Sequence, residues 1–484
     1  MSYTNLLVRL IDLAKPFLPL LPEIELPLEQ LTFDDKVMYT IGTSFLYLLA
    51  QLPIFGASKT TNDPIHWLRP VFGAEQNTLL EFGVFPIISS GLIFQILSGL
   101  KLIKINFNNR LDRELFQTLQ KVFAIFQYAI LTNIFLFTGY YGYNLTFWQY
   151  ILINFQLIGT GSVFVFISEI IDKGYGFGSG SLTFITINIS ANFVTDIIAL
   201  NSVKTTRGYE SVGALVNLVK NLRNKPFKNA ILESFTRSYL PNLTQVYLTI
   251  GIVLVLIYLQ NFRLELPIRS NRVRSVSNVF PIKLLYTGSL PLLFSYVVLF
   301  YINILGYTIV NLVFKNDSNQ IIVKILGQYI TTGFNSNFIV EKPSILYFFS
   351  PSKNLFESLI SPLRTIIFFA TILITSTWFA NIWSSISGSS PKDLAIQFKE
   401  QGISIAGRRD VSISKELQRV IPVAAVSGAA ILATISEIGE LFGTNGKSPA
   451  IIVAVGAAFG FLELIAADFQ QGGGSQNFGS IFGQ

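Results

Sequence analysis

Long apolar runs alternate along the chain with short polar and basic stretches, and the period of that alternation is the first informative feature. A helix of about 20 apolar residues crosses a hydrocarbon core of about 30 Å. On that measure the pattern predicts ten spans, at Val37–Phe55, Thr78–Leu100, Leu119–Gly139, Phe147–Ile171, Ser181–Leu200, Tyr239–Gln260, Lys283–Phe314, Thr365–Ile386, Arg419–Leu441 and Pro449–Phe469. The expected fold class is therefore an all-α polytopic membrane protein. Residues 1–36 alternate apolar and polar positions and contain Pro16, Pro19, Pro22 and Pro27, which predicts an interfacial amphipathic helix over Tyr3–Lys15 and then an extended segment. The end of the chain, 470–484, is "QQGGGSQNFGSIFGQ", with the composition of a flexible tail.

Two stretches break the pattern. Between the first two spans, about 57–77, lies "ASKTTNDPIHWLRPVFGAEQN", too short and too polar to cross a membrane. Asp63 suits a helix cap and Pro64 the first turn. The apolar Ile65, Trp67, Leu68 and Val71 then predict a half-helix, either lying at the interface with Trp67 as its anchor or folded back into a cavity. The second span contains Gly83, Pro86, Ser89, Ser90 and Gly91, breaks more typical of a moving or cavity-lining helix than of a lipid-facing rod.

Composition supports the membrane reading. The chain is 51% hydrophobic and 13% charged, with a mean hydropathy of +0.52, whereas soluble domains carry about 25% charged residues. With no cysteine and a single histidine, His66, disulfides, thiol chemistry and multi-histidine metal sites are excluded. No cofactor is expected. "GYGFGSG" (Gly174–Gly180) follows a span rather than a strand, so it reads as a tight turn and not a dinucleotide loop. Asn316-Asp-Ser318 is a glycosylation sequon. No pattern of an enzyme emerges.

The net charge of +7 matters through its placement. Ten spans put both termini on one side. The positive-inside tendency makes that side cytosolic, because the short outer loops carry only Lys59, Arg69 and Lys447. Two basic loops then share the cytosolic face, at about 261–282 ("RLELPIRSNRVRS") and 384–418, and turns are expected at Pro267, Pro281 and Gly407. They can be read as topology signals or as a docking surface for a polyanion. A secondary transporter also uses paired halves and broken helices, but it needs charged or ion-coordinating groups near the midplane. The centres of these spans are dominated by apolar side chains. A third reading is a receptor that binds such a polyanion without conducting.

The ordered motifs "TLLEFGVFPIISSGLIFQILSG", "DRELFQTLQKVFAI", "DKGYGFGSG", "YLPNLT", "LELPIRSNRVR", "FPIKLLYTG" and "SGSSPKDLAIQFKEQGI" resemble the SecY/Sec-sixty-one-alpha family of protein-conducting channel subunits, and within it a second, diverged fungal copy of the endoplasmic reticulum. The likeness runs from the N-terminal helix to the last span. It implies two pseudo-symmetric halves, 37–200 and 239–469, joined through a lumenal loop at 201–238. It implies a plug formed by Asp63, Pro64, Ile65, Trp67, Leu68 and Val71, and a pore ring of Val84, Ile88, Ser181, Ile185, Leu293 and Ile452, with Ser181 where relatives carry an apolar residue. A lateral gate between spans two and three and spans seven and eight is implied as well. At the positions of its usual polar pair this chain has Leu131 and Tyr301, with Gln127 and Asn303 nearby but out of register. Ribosomal RNA contacts are implied for Arg269, Arg272, Arg274, Arg408 and Arg409, and more weakly for Lys392 and Lys399. The implied partners are the ribosome, the nascent polypeptide and its signal sequence, two small single-span subunits (beta and the SecE-like gamma) and membrane lipid.

Overall fold

A computed structural model describes the chain except for residues 1–8, 22, 30, 59–62, 104, 107–108, 143–144, 206–207, 238–239, 271–276, 331–338, 341–343, 353–354, 387–389, 401–402, 406–409 and 472–484. Its α-helices are α1 (Phe33–Leu49), α2 (Phe85–Gly99), α3 (Arg110–Phe137), α4 (Phe147–Ile170), α5 (Gly180–Ile198), α6 (Ala214–Asn224), α7 (Phe227–Thr236), α8 (Leu243–Gln260), α9 (Leu290–Thr308), α10 (Ile321–Leu326), α11 (Ile345–Phe348), α12 (Leu355–Ile360), α13 (Pro362–Ile386), α14 (Pro391–Glu400), α15 (Asp410–Leu441) and α16 (Lys447–Gln471). The strands are β1 (Ser202–Thr205), β2 (Gly208–Ser211), β3 (Arg263–Ser270), β4 (Ser277–Lys283), β5 (Tyr329–Ile330), β6 (Ile339–Val340) and β7 (Ile403–Ile405).

Among the described residues, eight helices are long and apolar enough to cross a membrane: α3, α4, α5, α8, α9, α13, α15 and α16. The other two predicted spans are shorter. α1 has 17 residues and α2 has 15. The expected start of the second span at Thr78 is corrected to Phe85, because Thr78 bridges to Pro53, residues 79–84 form turns and Gly83 adopts φ +51°. At Gly83 a Cβ would lie 2.2 Å from the Phe72 carbonyl oxygen, so the chain can fold back on itself there only through glycine.

Helix ends follow local chemistry. The Thr32 side chain accepts from the Asp35 N–H at the start of α1, and Asn242 does the same for Gln245 at the start of α8. "GYGFGSG" is indeed a turn: α4 runs into a π-helical segment at Ile171–Tyr175, Gly174 and Gly178 take positive φ, and the Asp172 carboxylate accepts from the Gly180 N–H, 2.9 Å, at the start of α5. At the N-terminus the expected helix appears as a 3-10 helix at Leu10–Phe17, with Ile11 and Ala14 buried against Leu115 and Phe116 of α3. Its predicted first turns, and the tail beyond 471, lie outside the described residues.

The main core is one apolar cluster. It draws side chains from α1–α5 and from α8, α9, α13, α15 and α16, with the 63–85 segment at its centre.

Candidate functional site

From Asp63 to Ala74 the segment after α1 is buried almost throughout. Ile65, Leu68, Val71 and Phe72 are at most 1% exposed and Trp67 is 3% exposed. This excludes an interfacial helix anchored by Trp67. The predicted half-helix is also corrected: Pro64–Arg69 form successive turns, and only Pro70–Phe72 make a 3-10 turn. Pro70, whose ring would clash with the carbonyl four residues back, and Gly73 in the left-handed region prevent a regular α-helix from running through the segment. Asp63 nevertheless caps as expected, accepting from the Ile65 N–H at 3.1 Å.

Aromatic contacts hold the segment on both sides. Trp67 packs edge-on against Tyr296 of α9 and Phe368 of α13, and Phe72 against Phe85 of α2 and Phe300 of α9. Tyr47 of α1 donates to the Gly73 carbonyl at 2.8 Å. Below Trp67 lies the turn between α15 and α16, where Glu440 accepts from Thr444 and the Gly446 N–H. Gly446, at φ +81°, comes so close that a Cβ would overlap the Trp67 carbonyl oxygen.

The centre of the segment carries charge, which sequence reasoning missed. The buried Arg69 guanidinium binds the Asp63 carboxylate, the Glu81 carboxylate and the Glu81 carbonyl, and reaches the Tyr140 hydroxyl at 3.2 Å. Asn77 N–H donates to the second Glu81 oxygen at 2.8 Å. Burying ions is tolerable only when they are paired and hydrogen-bonded, and here all three are. The signal was in the sequence: a lone arginine and a lone glutamate, each embedded in an apolar run on one side of the membrane, should find each other.

Of the predicted ring residues, Val84, Ile88, Ile185, Leu293 and Ile452 fall in the same buried cluster as the segment, each 8% exposed or less. Ser181 is only partly buried, on the first turn of α5, with its hydroxyl 3.3 Å from that of Ser179.

The predicted gate is an aromatic seam. Phe85 of α2 stacks on Phe300 of α9 with ring centroids 3.7 Å apart, and Phe135 of α3 lies 5.8 Å from Tyr307. Leu131 is buried in the seam. Asn303 spends its amide on the Leu299 carbonyl of its own helix. Gln127 accepts from Ser89 at 2.6 Å, and the Tyr301 ring packs against Phe85.

The two basic loops meet. β3 pairs antiparallel with β4, Arg263 opposite Lys283 and Arg269 opposite Ser277. β7, from the second loop, adds to the other edge of β3, Arg269 opposite Ser404. α14 packs beneath through Phe398 against Phe280 and Ile282. The expected turns at Pro267 and Pro281 are corrected: both lie within paired strands. β7 reaches only Ile268–Ser270 and β4 is an edge strand, so neither proline interrupts a doubly paired ladder. Lys392 and Lys399 are exposed on α14. Arg272, Arg274, Gly407, Arg408 and Arg409 lie outside the described residues. The sequon residue Asn316 has its side-chain amide tied to both backbone groups of Tyr329.

Comparison with known proteins completes the picture. The SecY family pattern matches residues 78–462, and the plug domain of Sec61p matches residues 45–76. The chain belongs to the SecY family. It is 49% identical to the Sec sixty-one protein homolog of Saccharomyces cerevisiae over 98% of both chains, and 38% identical to the SEC61 subunit alpha protein transport protein of Yarrowia lipolytica over 95% of this chain and 98% of that one. Among solved structures it is similar to a yeast Ssh1 complex bound to the yeast 80S ribosome, with a TM-score of 0.77, 47% identity and coverage of 97% of this chain and 98% of that chain. A protein conducting channel at 22% identity shares the fold, with a TM-score of 0.75 over 95% of this chain and 97% of that chain. The SecY-family relatives are protein-transport channel subunits rather than enzymes, and this chain is a Sec61-alpha homologue among them.

Proposed function

We propose that this chain is the pore-forming alpha subunit of an endoplasmic reticulum translocation channel. Secretory chains pass through its apolar waist, and membrane segments leave by the gate. One observation carries the reading: the 63–74 segment sits inside the same apolar cluster as Val84, Ile88, Ile185, Leu293 and Ile452, a stopper in a constriction. An apolar waist resists water and ions by dewetting and yet yields to an extended polypeptide without sequence-specific bonds. Ser181 borders the ring from α5. Hydrophobic signals partition at the gate between α2–α3 and α9–α13, where each Leu, Ile, Phe or Val at a helix centre gains about 0.3–0.6 kcal/mol in the bilayer. The Ser89–Gln127 hydrogen bond stands there in place of the usual polar pair.

Ten spans form two halves, 37–200 and 239–469, with both termini cytosolic. The β3–β4–β7 sheet and α14 dock the ribosome. The resemblance to a ribosome-bound yeast complex supports that role, as do exposed Lys392 and Lys399. Beta and SecE-like gamma subunits complete the assembly.

The experiment is reconstitution of the purified complex into proteoliposomes with ribosome-bound secretory chains. Protease-protected chains are expected, and they should be lost when the signal sequence is made polar. Ribosome binding without protection would leave a receptor and remove the channel.

A further inference from the structure

We propose that the α6–α7 pair is an interfacial anchor, lying in the leaflet opposite the β3–β4 hairpin with its apolar edge among acyl chains and its basic residues at the lipid phosphates. α8 separates the two ends. Its 18 residues follow α7 and precede β3, and at about 1.5 Å per residue they span about 27 Å. α6 has three faces. Ala214, Asn217 and Asn221 turn inward, Leu215, Val219 and Leu222 form an exposed stripe at i, i+4 and i+7, and Lys220, Arg223 and Asn224 occupy the remaining side. α7 adds exposed Phe227, Leu232 and Phe235. A helix with an apolar edge and a cationic face suits the membrane–water interface.

The occupant follows from continuity. Phe235 stacks on Tyr247 of α8 with centroids 6.1 Å apart, and exposed apolar positions continue down α8 through Ile250 and Leu254. The edge of α6–α7 is therefore an extension of the surface α8 presents to lipid. Exposed Arg223 and Lys228 complement anionic headgroups. The pair is also set at a fixed depth. The Arg237 guanidinium donates to the carbonyls of Ser211 and Val212, 2.7 Å each, and to that of Pro241, clamping α7 to the β1–β2 hairpin and the start of α8. At Gly213 a Cβ would lie 2.6 Å from the Ala199 backbone nitrogen, which seats the start of α6 directly on the end of α5.

Because the chain has no cysteine, single nitroxide labels can be placed without background. The full-length complex carrying Val219→Cys or Phe227→Cys is reconstituted into phosphatidylcholine vesicles with and without phosphatidylserine, with Ile250→Cys as the lipid-facing reference and Asn224→Cys as the aqueous one. Oxygen collisions should exceed those of a nickel chelate at 219 and 227, as at 250, and the ratio should reverse at 224. Arg223→Glu with Lys228→Glu should move both labels toward water in phosphatidylserine vesicles only. Labels at 219 and 227 as accessible to the nickel chelate as the one at 224 would overturn the anchor. So would labels shielded from both quenchers, which would mean that a protein covers this face.

Discussion

Replacing Arg69 with alanine is expected to free the plug and destabilise the protein by about 3–5 kcal/mol, the cost of leaving buried charge without its partner. Among the described residues Arg69 is the one cation bound to two carboxylates, Asp63 and Glu81, which are at most 1% exposed. Its removal also strands the Glu81 carbonyl and takes a partner from the Tyr140 hydroxyl. The substitution should lower the melting temperature of the purified complex and make proteoliposomes leak small ions. Neutralising the whole cluster, as Arg69→Met with Asp63→Asn and Glu81→Gln, should recover much of the stability, because no uncompensated ion then remains. An Arg69→Ala protein that melts and seals like the parent would contradict the latch. So would a triple variant no better than the single one.

The second large effect is expected at the platform. Arg269, Arg272 and Arg274 changed together to alanine should weaken ribosome binding by at least about a hundredfold, at about 1 kcal/mol or more for each charge-assisted contact. The dependence on salt should flatten too, since each lost phosphate contact lowers the log–log slope by about 0.7–0.9. Equilibrium binding of purified ribosomes across a salt series reads both quantities. Single changes at Lys392 or Lys399 should act more weakly, because lysine meets phosphate as a point charge without arginine's two-pronged geometry. If the triple variant keeps its affinity but inserts with altered topology, these residues are orientation signals instead.

The spans were legible because burial in lipid demands unbroken apolar runs, and those survive in one sequence without help from partners. The boundaries of α2 were not. Gly83 and Pro86 sit in a run whose hydropathy continues to Thr78, but the chain turns back at Gly83 to pack on Phe72. The residue pattern set the 57–77 segment apart and the family resemblance made it the plug, while its conformation was not legible, because the tertiary contacts of Trp67 and Phe72 override local helix preference. Each basic loop could be read alone, but the pairing of β3 with β7 joins residues about 135 positions apart and leaves no local trace. The same holds for the gate. Gln127 and Asn303 look misaligned in sequence, and only the geometry shows Gln127 paired with Ser89 of α2 and Asn303 with Leu299 of its own helix. The Arg69 cluster was the readable feature that went unread, since two opposite charges in neighbouring apolar runs rarely remain apart.

The most direct test of a polypeptide conduit is a photo-cross-linking amino acid at Leu293, which is fully buried in the apolar cluster around Val71 and Phe72. Ribosome-stalled secretory chains of increasing length are then presented to the complex. Conduction predicts cross-links only with an engaged signal sequence, moving along the nascent chain as it lengthens. Ribosome binding with no cross-link at Leu293, and none from probes at Val84, Ile88, Ile185 or Ile452, would contradict it.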